Sequence, residues 1–300
     1  MNKNRSKRQG ADKTKNMKQN GKGHDIMPFD PNAIFRSMEG QMSNLGGDSR
    51  NRKNAEDLAQ QMIYDAWEAD KPDQRVALAR KALEICPDCA DAYSILAEES
   101  AESLGHAIDL YQKALEGGER LLGKKFFKEN EGHFWGLIET RPYMRACCSL
   151  AQCLWEDGRM EEAVDHFWGM LRLNPNDNQG VRDLLMPCLI ELDRDEDAEK
   201  LFKQYKEDGM AAWVYSRALL NFRKKGDGEI ARKSLKAAIN ANRHVPVYLL
   251  RRKKMPKELP GYYGIGDENE AVIYAHGNSA AWKASAGALE WLAANANIGG

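Results

Sequence analysis

The chain contains no apolar run approaching the roughly 18 residues that a bilayer span requires, and its first residues lack the apolar core of an export signal. On that basis the expectation is a cytoplasmic protein without a membrane span. Equally missing are a G-x-S-x-G elbow, a G-x-x-x-x-G-K-[ST] phosphate loop and a strand-first G-x-G-x-x-G; Gly264-Ile265-Gly266 reads as loop. The histidines singled out, His133, His166 and His244, are scattered over separate segments. Cysteine is sparse, at 86, 89, 147, 148, 153 and 188. Cys86-Pro87-Asp88-Cys89 has the spacing of zinc and redox pairs, but neither a second C-x-x-C nor a histidine at ligand spacing accompanies it. Reduced, packed thiols are therefore expected, with no metal, no cofactor and no catalytic function.

What is present divides the 300 residues by charge. Residues 1–54 hold 12 Lys/Arg against 5 Asp/Glu, or +7, so with a whole-chain charge of −1 the remainder carries −8. Residues 1–24 have almost no apolar side chains and are expected to be disordered. Without an aromatic residue to stack on bases they read first as a solvated tail, and in the alternative as a nucleic-acid attachment arm. Residues 28–42 set Phe29, Ile34, Phe35, Met38 and Met42 near helical spacing after Asp30-Pro31, a candidate docking segment; Gly46-Gly47 follows as linker.

From Ala55 onward the apolar positions recur with a helical period. The clearest unit is Tyr143 to Asn176. Its first helix, about Met144 to Glu156, sets Cys147, Ala151 and Leu154 on one face; Gly158 turns; Ala163, Phe167 and Met170 line the second helix; Pro175 ends it. This is the skeleton of a 34-residue tetratricopeptide repeat. Such a hairpin cannot bury its apolar face alone and requires stacked neighbours. They are found around Ala59–Pro87, Ala90–Ala114, Gln179–Met210 and Tyr215–Ala238. Pro187 falls inside one first helix, where a kink is expected. The expected architecture is all-α, a right-handed hairpin solenoid over 55–243 with an insertion at 117–142, preceded by the tail and linker 1–54 and closed by a cap at 244–300. In that cap, Asp267 with Glu270 reads as a capping-box variant.

Several further stretches are not demanded by the repeat: HFWGLIETRPYMR from His133, NPNDNQGVRDLLMP from Asn174, HVPVYLL from His244, GDENEAVIYA from Gly266 and WKASAGALEWL from Trp282. Together, over roughly Leu58 to Leu292, these resemble bacterial tetratricopeptide proteins related to the suppressor-of-tumorigenicity-seven family. The resemblance implies a helical repeat protein and brings no catalytic residues with it. Animal members of that family are membrane-associated, whereas this sequence offers no spanning segment. Arg243 stands where a proline is expected after Asn242, which should loosen the junction into HVPVYLL.

First helices of stacked hairpins face a common groove, and the insertion reaches its third hairpin. The expected binding site is therefore Trp135, Arg141, Arg145, Trp155, Trp213 and Arg217, taking an acidic or C-terminal segment of a protein or peptide partner through charge-assisted hydrogen bonds over an aromatic floor. A purely structural use of the same insertion is the competing expectation: Phe126, Phe127, Phe134 and Trp135 cover the groove or wedge between hairpins, with Glu139 and Arg141 paired as a buried strut.

Overall fold

The computed structural model describes residues 55–206 and 208–296. The arm 1–54, with the docking segment read at 28–42, lies outside the described residues. Among those described there are thirteen α-helices and no strand. Ten of the helices pack as consecutive pairs: α1 (Ala55–Glu68) with α2 (Pro72–Ile85), α3 (Ala90–Ser100) with α4 (Leu104–Glu129), α5 (Arg141–Glu156) with α6 (Met160–Leu173), α7 (Val181–Glu191) with α8 (Asp195–Gln204), and α9 (Ala211–Lys225) with α10 (Glu229–Ala241). Three more follow, α11 (Val245–Leu249), α12 (Glu268–Ala284) and α13 (Ala288–Asn295).

The third pair shows why these residues fold this way. Cys147, Ala151 and Leu154 of α5 and Ala163, Phe167 and Met170 of α6 are all buried, as their helical spacing predicts. Gly158 joins the helices at φ 81°, in the left-handed region where a Cβ is disfavoured, and the Arg159 N–H reaches back to the Leu154 carbonyl at 2.8 Å. Helix α5 begins at Arg141, earlier than its apolar pattern suggests. Pro142 causes no loss there, because the first turn has no intrahelical use for its N–H. In α7 the chain runs on through Pro187, so the expected kink does not end the helix.

Much of the segment read as an insertion is helix. Helix α4 continues to Glu129, interrupted at Gly123 (φ 73°, ψ 152°), and two short 3-10 turns, Phe134–Gly136 and Ile138–Thr140, lead into α5. Phe134 packs against Phe127 and Tyr143 at ring distances of 4.8 and 6.4 Å, so the aromatics form a wedge between α4 and α5. At Gly117 the helix runs so close to the preceding turn that a Cβ would stand 2.7 Å from the Asp88 carbonyl oxygen. That turn is Cys86-Pro87-Asp88-Cys89. Cys86 closes α2, Cys89 opens α3, and the Cys89 N–H donates to the Cys86 carbonyl at 3.1 Å. The C-x-x-C spacing thus builds a joint between hairpins.

Alternate helices also touch. α1 meets α3, α3 meets α5, and α7 meets α9. Helix α12 then packs against both α7 and α9, while α13 lies against α9, α10 and α11. Glu270, 3% exposed, fixes this arrangement: Oε1 accepts from the Ala211 N–H at the start of α9, and Oε2 from Asn242 Nδ2 and the Gly266 N–H, at 2.7–2.8 Å. Asp267 does cap α12 by accepting from the Glu270 N–H at 2.8 Å. The Glu270 carboxylate, however, reaches across to another helix instead of completing the local box. The junction after Asn242 is firm despite Arg243. The Asn242 carbonyl accepts from the Tyr215 hydroxyl at 2.7 Å, and its side chain bonds the Asp267 carbonyl, Glu270 and the His244 N–H. At the far end, Phe222 of α9 stacks on Trp291 of α13 at 4.6 Å.

Candidate partner-binding site

The six residues expected to form one site do not come together: five fall in three sets of neighbours and Trp155 stands apart. Trp135 is buried at the first 3-10 turn, and Arg141 donates to its carbonyl at 3.1 Å while lying 5.2 Å from the ring centroid. Arg145, 4% exposed, holds Asp91 of α3 by two parallel bonds of 3.1 and 2.6 Å and lies 5.0 Å from the ring centre of Trp67 on α1. Gln60 of α1 donates to the same carboxylate at 3.0 Å. The Arg145 guanidinium therefore joins three first helices, α1, α3 and α5. Trp155 is half-buried at the end of α5, packed against the core.

The third set lies between α8 and α9. Trp213 is 1% exposed, its ring edge-on to Phe202 at 4.7 Å. One turn on, the Arg217 guanidinium stacks 4.0 Å over the same Phe202 ring. Half-buried arginines elsewhere meet carboxylates: Arg75 with Glu99, Arg182 with Asp177 and Asp208, Arg194 with Asp197, Arg223 with Asp195. Arg217 has no carboxylate within ion-pair distance among the described residues, because its neighbour Glu199 is taken by Lys224 at 3.0 Å. Burial lowers the Arg217 pKa, with Glu199 acting weakly in the opposite direction. The Arg217 guanidinium therefore rests on an aromatic ring without a direct ion pair among the described residues.

Beside this set, Arg182 spans Asp177 and Asp208 at 2.9 and 2.7 Å and lies over the Tyr205 and Trp213 rings. Asp177 also accepts the N–H groups of Val181 and Arg182, anchoring the start of α7. Asp183, the third carboxylate, has its Oδ1 sealed from solvent without a hydrogen-bond partner. Burial pushes its pKa up to about 7; Asp208, Asp177 and Glu270 add to the rise and Arg182 opposes it.

A separate cleft of about 840 Å³ opens between α4, α5 and α6, with Glu119, Lys124, Phe127, Tyr143, Cys147 and His166 among its lining. Cys147 Sγ lies 3.6 Å from His166 Nδ1. Burial pushes the thiol up to about 12 and lowers the imidazole, so near pH 7 both are neutral and the pair holds no thiolate nucleophile. All six cysteines are free and buried. Among the described residues no group of three His, Cys, Asp or Glu side chains could hold a metal ion.

The sequence pattern did not reveal that Phe202 underlies both Trp213 and Arg217, since the contact crosses from one hairpin to the next. Cys147 and His166 were visible as residue types, but nothing in their spacing of 19 announced the contact.

Comparison with known proteins bears on most of the chain. It is 28% identical over 263 residues to "Protein ST7 homolog" of Caenorhabditis elegans, covering 76% of this chain and 48% of that relative. Against "Suppressor of tumorigenicity 7 protein-like" of Homo sapiens it is 31% identical over 253 residues, 77% of this chain and 44% of the relative. The Drosophila melanogaster ST7 homolog matches at 28% over 257 residues, 77% and 47%. The chain thus spans less than half the length of these relatives. No described helix is long and apolar enough to cross a membrane. The model of the family described as "ST7 protein" matches residues 48–297, and with a match of that extent the chain belongs to the ST7 protein family.

Proposed function

We propose that the chain is a non-catalytic helical scaffold of the tetratricopeptide type, which binds a protein or peptide partner and receives an anionic group of that partner at Arg217. The supporting observation is the half-buried guanidinium over Phe202 without a carboxylate of its own. Phe202 and Trp213, both buried, support the guanidinium from beneath, and the five successive hairpins supply a rigid frame. The preferred ligand class is a peptide carboxylate, either a C-terminus or an acidic side chain, because a planar guanidinium matches that geometry. Arg145 has no part in this reading as a contact residue, since a ligand would first have to displace Asp91.

The test uses the full chain and two random peptide libraries, one with free C-termini and one amidated. Native protein is expected to enrich free-carboxylate or acidic peptides, and Arg217→Ala is expected to bind them roughly 5- to 100-fold more weakly, the range of an interface hot spot. Equal enrichment by Arg217→Ala and native protein would overturn the assignment. Loss of all binding on deleting residues 1–50, with Arg217 intact, would move the activity to the basic arm.

A further inference from the structure

We infer that the cleft between α4, α5 and α6 is a binding site for a small organic ammonium ion carrying an apolar body. Its volume of about 840 Å³ falls within the roughly 300–1,000 Å³ of ligand clefts. The walls are the second helices of two successive hairpins, and the floor is the first helix between them. Residues one or two turns apart line it: Glu119, Gly123 and Phe127 on α4, Tyr143 and Cys147 on α5, His166 and Gly169 on α6. Gly118 lets α4 settle onto the floor, since a Cβ there would stand 3.1 Å from the Tyr143 ring. At Gly123 and Gly169 a Cβ would meet nothing within 4 Å, so these two glycines leave the cavity open.

Charge selects the ligand. Burial is the main influence on the Tyr143 hydroxyl, the Cys147 thiol and the His166 imidazole, but Glu119 acts on all three, which places its carboxylate over the floor. With Cys147 and His166 neutral near pH 7, that charge is left uncompensated. Neither Glu119 nor Asp165 on the opposite wall has an ion pair among the described residues. The cations of the lining are mostly engaged: Arg120 holds Asp88 at 2.8 Å and Glu116 at 3.7 Å, and Arg172 faces Glu131, outside the cleft, at 3.8 Å. Exposed Lys124 remains, one ammonium against two carboxylates. Phe127 and Tyr143 meet edge to face at 5.0 Å, and Met170 and Leu173 extend an apolar lining for the body of the ligand. An ammonium group held between a carboxylate and aromatic rings gains from both. An anionic ligand would instead meet Glu119 and Asp165.

The inference is independent of the peptide reading, and its test leaves Arg217 untouched. Three probes share one indole ring: tryptamine, tryptophan and indole-3-propionate, which are a cation, a zwitterion and an anion. Their binding to the full chain is measured by isothermal titration calorimetry at physiological salt. Tryptamine is expected to bind most tightly and indole-3-propionate least. Glu119→Gln should weaken tryptamine binding roughly tenfold or more, the loss of a charge-assisted bond. Lys124→Gln should strengthen it a few-fold by removing the remaining cation. Gly169→Leu projects into the open cleft and should abolish binding; because leucine suits a helix interior better than glycine, its melting temperature should equal or exceed the native one. Binding of tryptophan or indole-3-propionate as tight as that of tryptamine would overturn the choice of a cation. Undiminished tryptamine binding by Glu119→Gln or Gly169→Leu would place the ligand elsewhere and overturn the site, as would the absence of saturable tryptamine binding at millimolar concentration.

Discussion

Arg145 of α5 and Asp91 of α3 form a two-bond ion pair in which the side chains are only 4% and 2% exposed. The pair sits where three first helices meet, and each partner is tolerable in the core only while the other is present. Arg145→Ala should therefore lower stability by about 3–5 kcal/mol, because it strands a buried carboxylate. Arg145→Met together with Asp91→Leu should recover most of that loss. Urea denaturation of both variants checks this; a single variant within about 1 kcal/mol of native, on the order of a surface pair, would place Arg145 in contact with solvent.

The raised pKa of Asp183 gives stability a definite pH dependence. Its folded value of about 7 lies above the unfolded value of about 3.9, so between those pH values the folded state holds the proton more tightly than the unfolded chain does. Stability contributed through this group is full below about pH 4, declines as pH rises and levels off above about pH 7. Asp183→Asn should match native protein near pH 4 and exceed it at pH 8. Thermal melts across that range report the difference.

Glu270 accepts three hydrogen bonds from α9, the Asn242 junction and the turn before α12. Glu270→Ala orphans the Ala211 and Gly266 N–H groups and should reduce stability by about 3 kcal/mol or more. Trypsin should then cut the Arg251–Lys254 turn faster, as α12 loosens from α9. Unchanged proteolysis would show that packing alone holds α12.

Burial also decides the chemistry of the thiols. Cys89, Cys147 and Cys153 are each pushed up to about 12 by desolvation, and all six cysteines are buried. A disulfide reagent such as DTNB should react slowly with the native chain and label six thiols once guanidinium unfolds it. Rapid native labelling at Cys86 or Cys89 would mark the C-x-x-C joint as a reactive pair.

Periodicity made the helical class and the third hairpin legible, because Leu150, Ala151, Ala163 and Phe167 repeat as a buried face must. Helix ends with a local chemical signal were legible too, at Gly158 and Asp267. The long reach of α4 was not legible: the repeat pattern ends at Ala114 and an insertion was expected from 117, although Gly117 and Gly118 lie inside the helix at close contacts. Contacts between distant residues leave no period. Nothing in the spacing of Arg145 and Asp91, 54 residues apart, or of Glu270 and Ala211, 59 apart, distinguishes a buried bond from two surface residues. The six proposed contact residues were chosen by type and face. At Arg145 the type described a strut, and Arg217 enters only the proposed contact.

The placement of α12 on α7 and α9 has a consequence for how the chain matures during synthesis. The first three hairpins meet neighbours that have already been made, so they can settle while the ribosome is still working. The fourth and fifth are different: α7 and α9 keep an uncovered face until residues 268–284 emerge, and the bonds that tie α9 down, from Ala211 to Glu270 and from Arg223 to Ser285, join residues 59 and 62 positions apart. A nascent chain halted after α10 would therefore carry a finished N-terminal half and a sticky C-terminal one, the state in which a chaperone has most to hold.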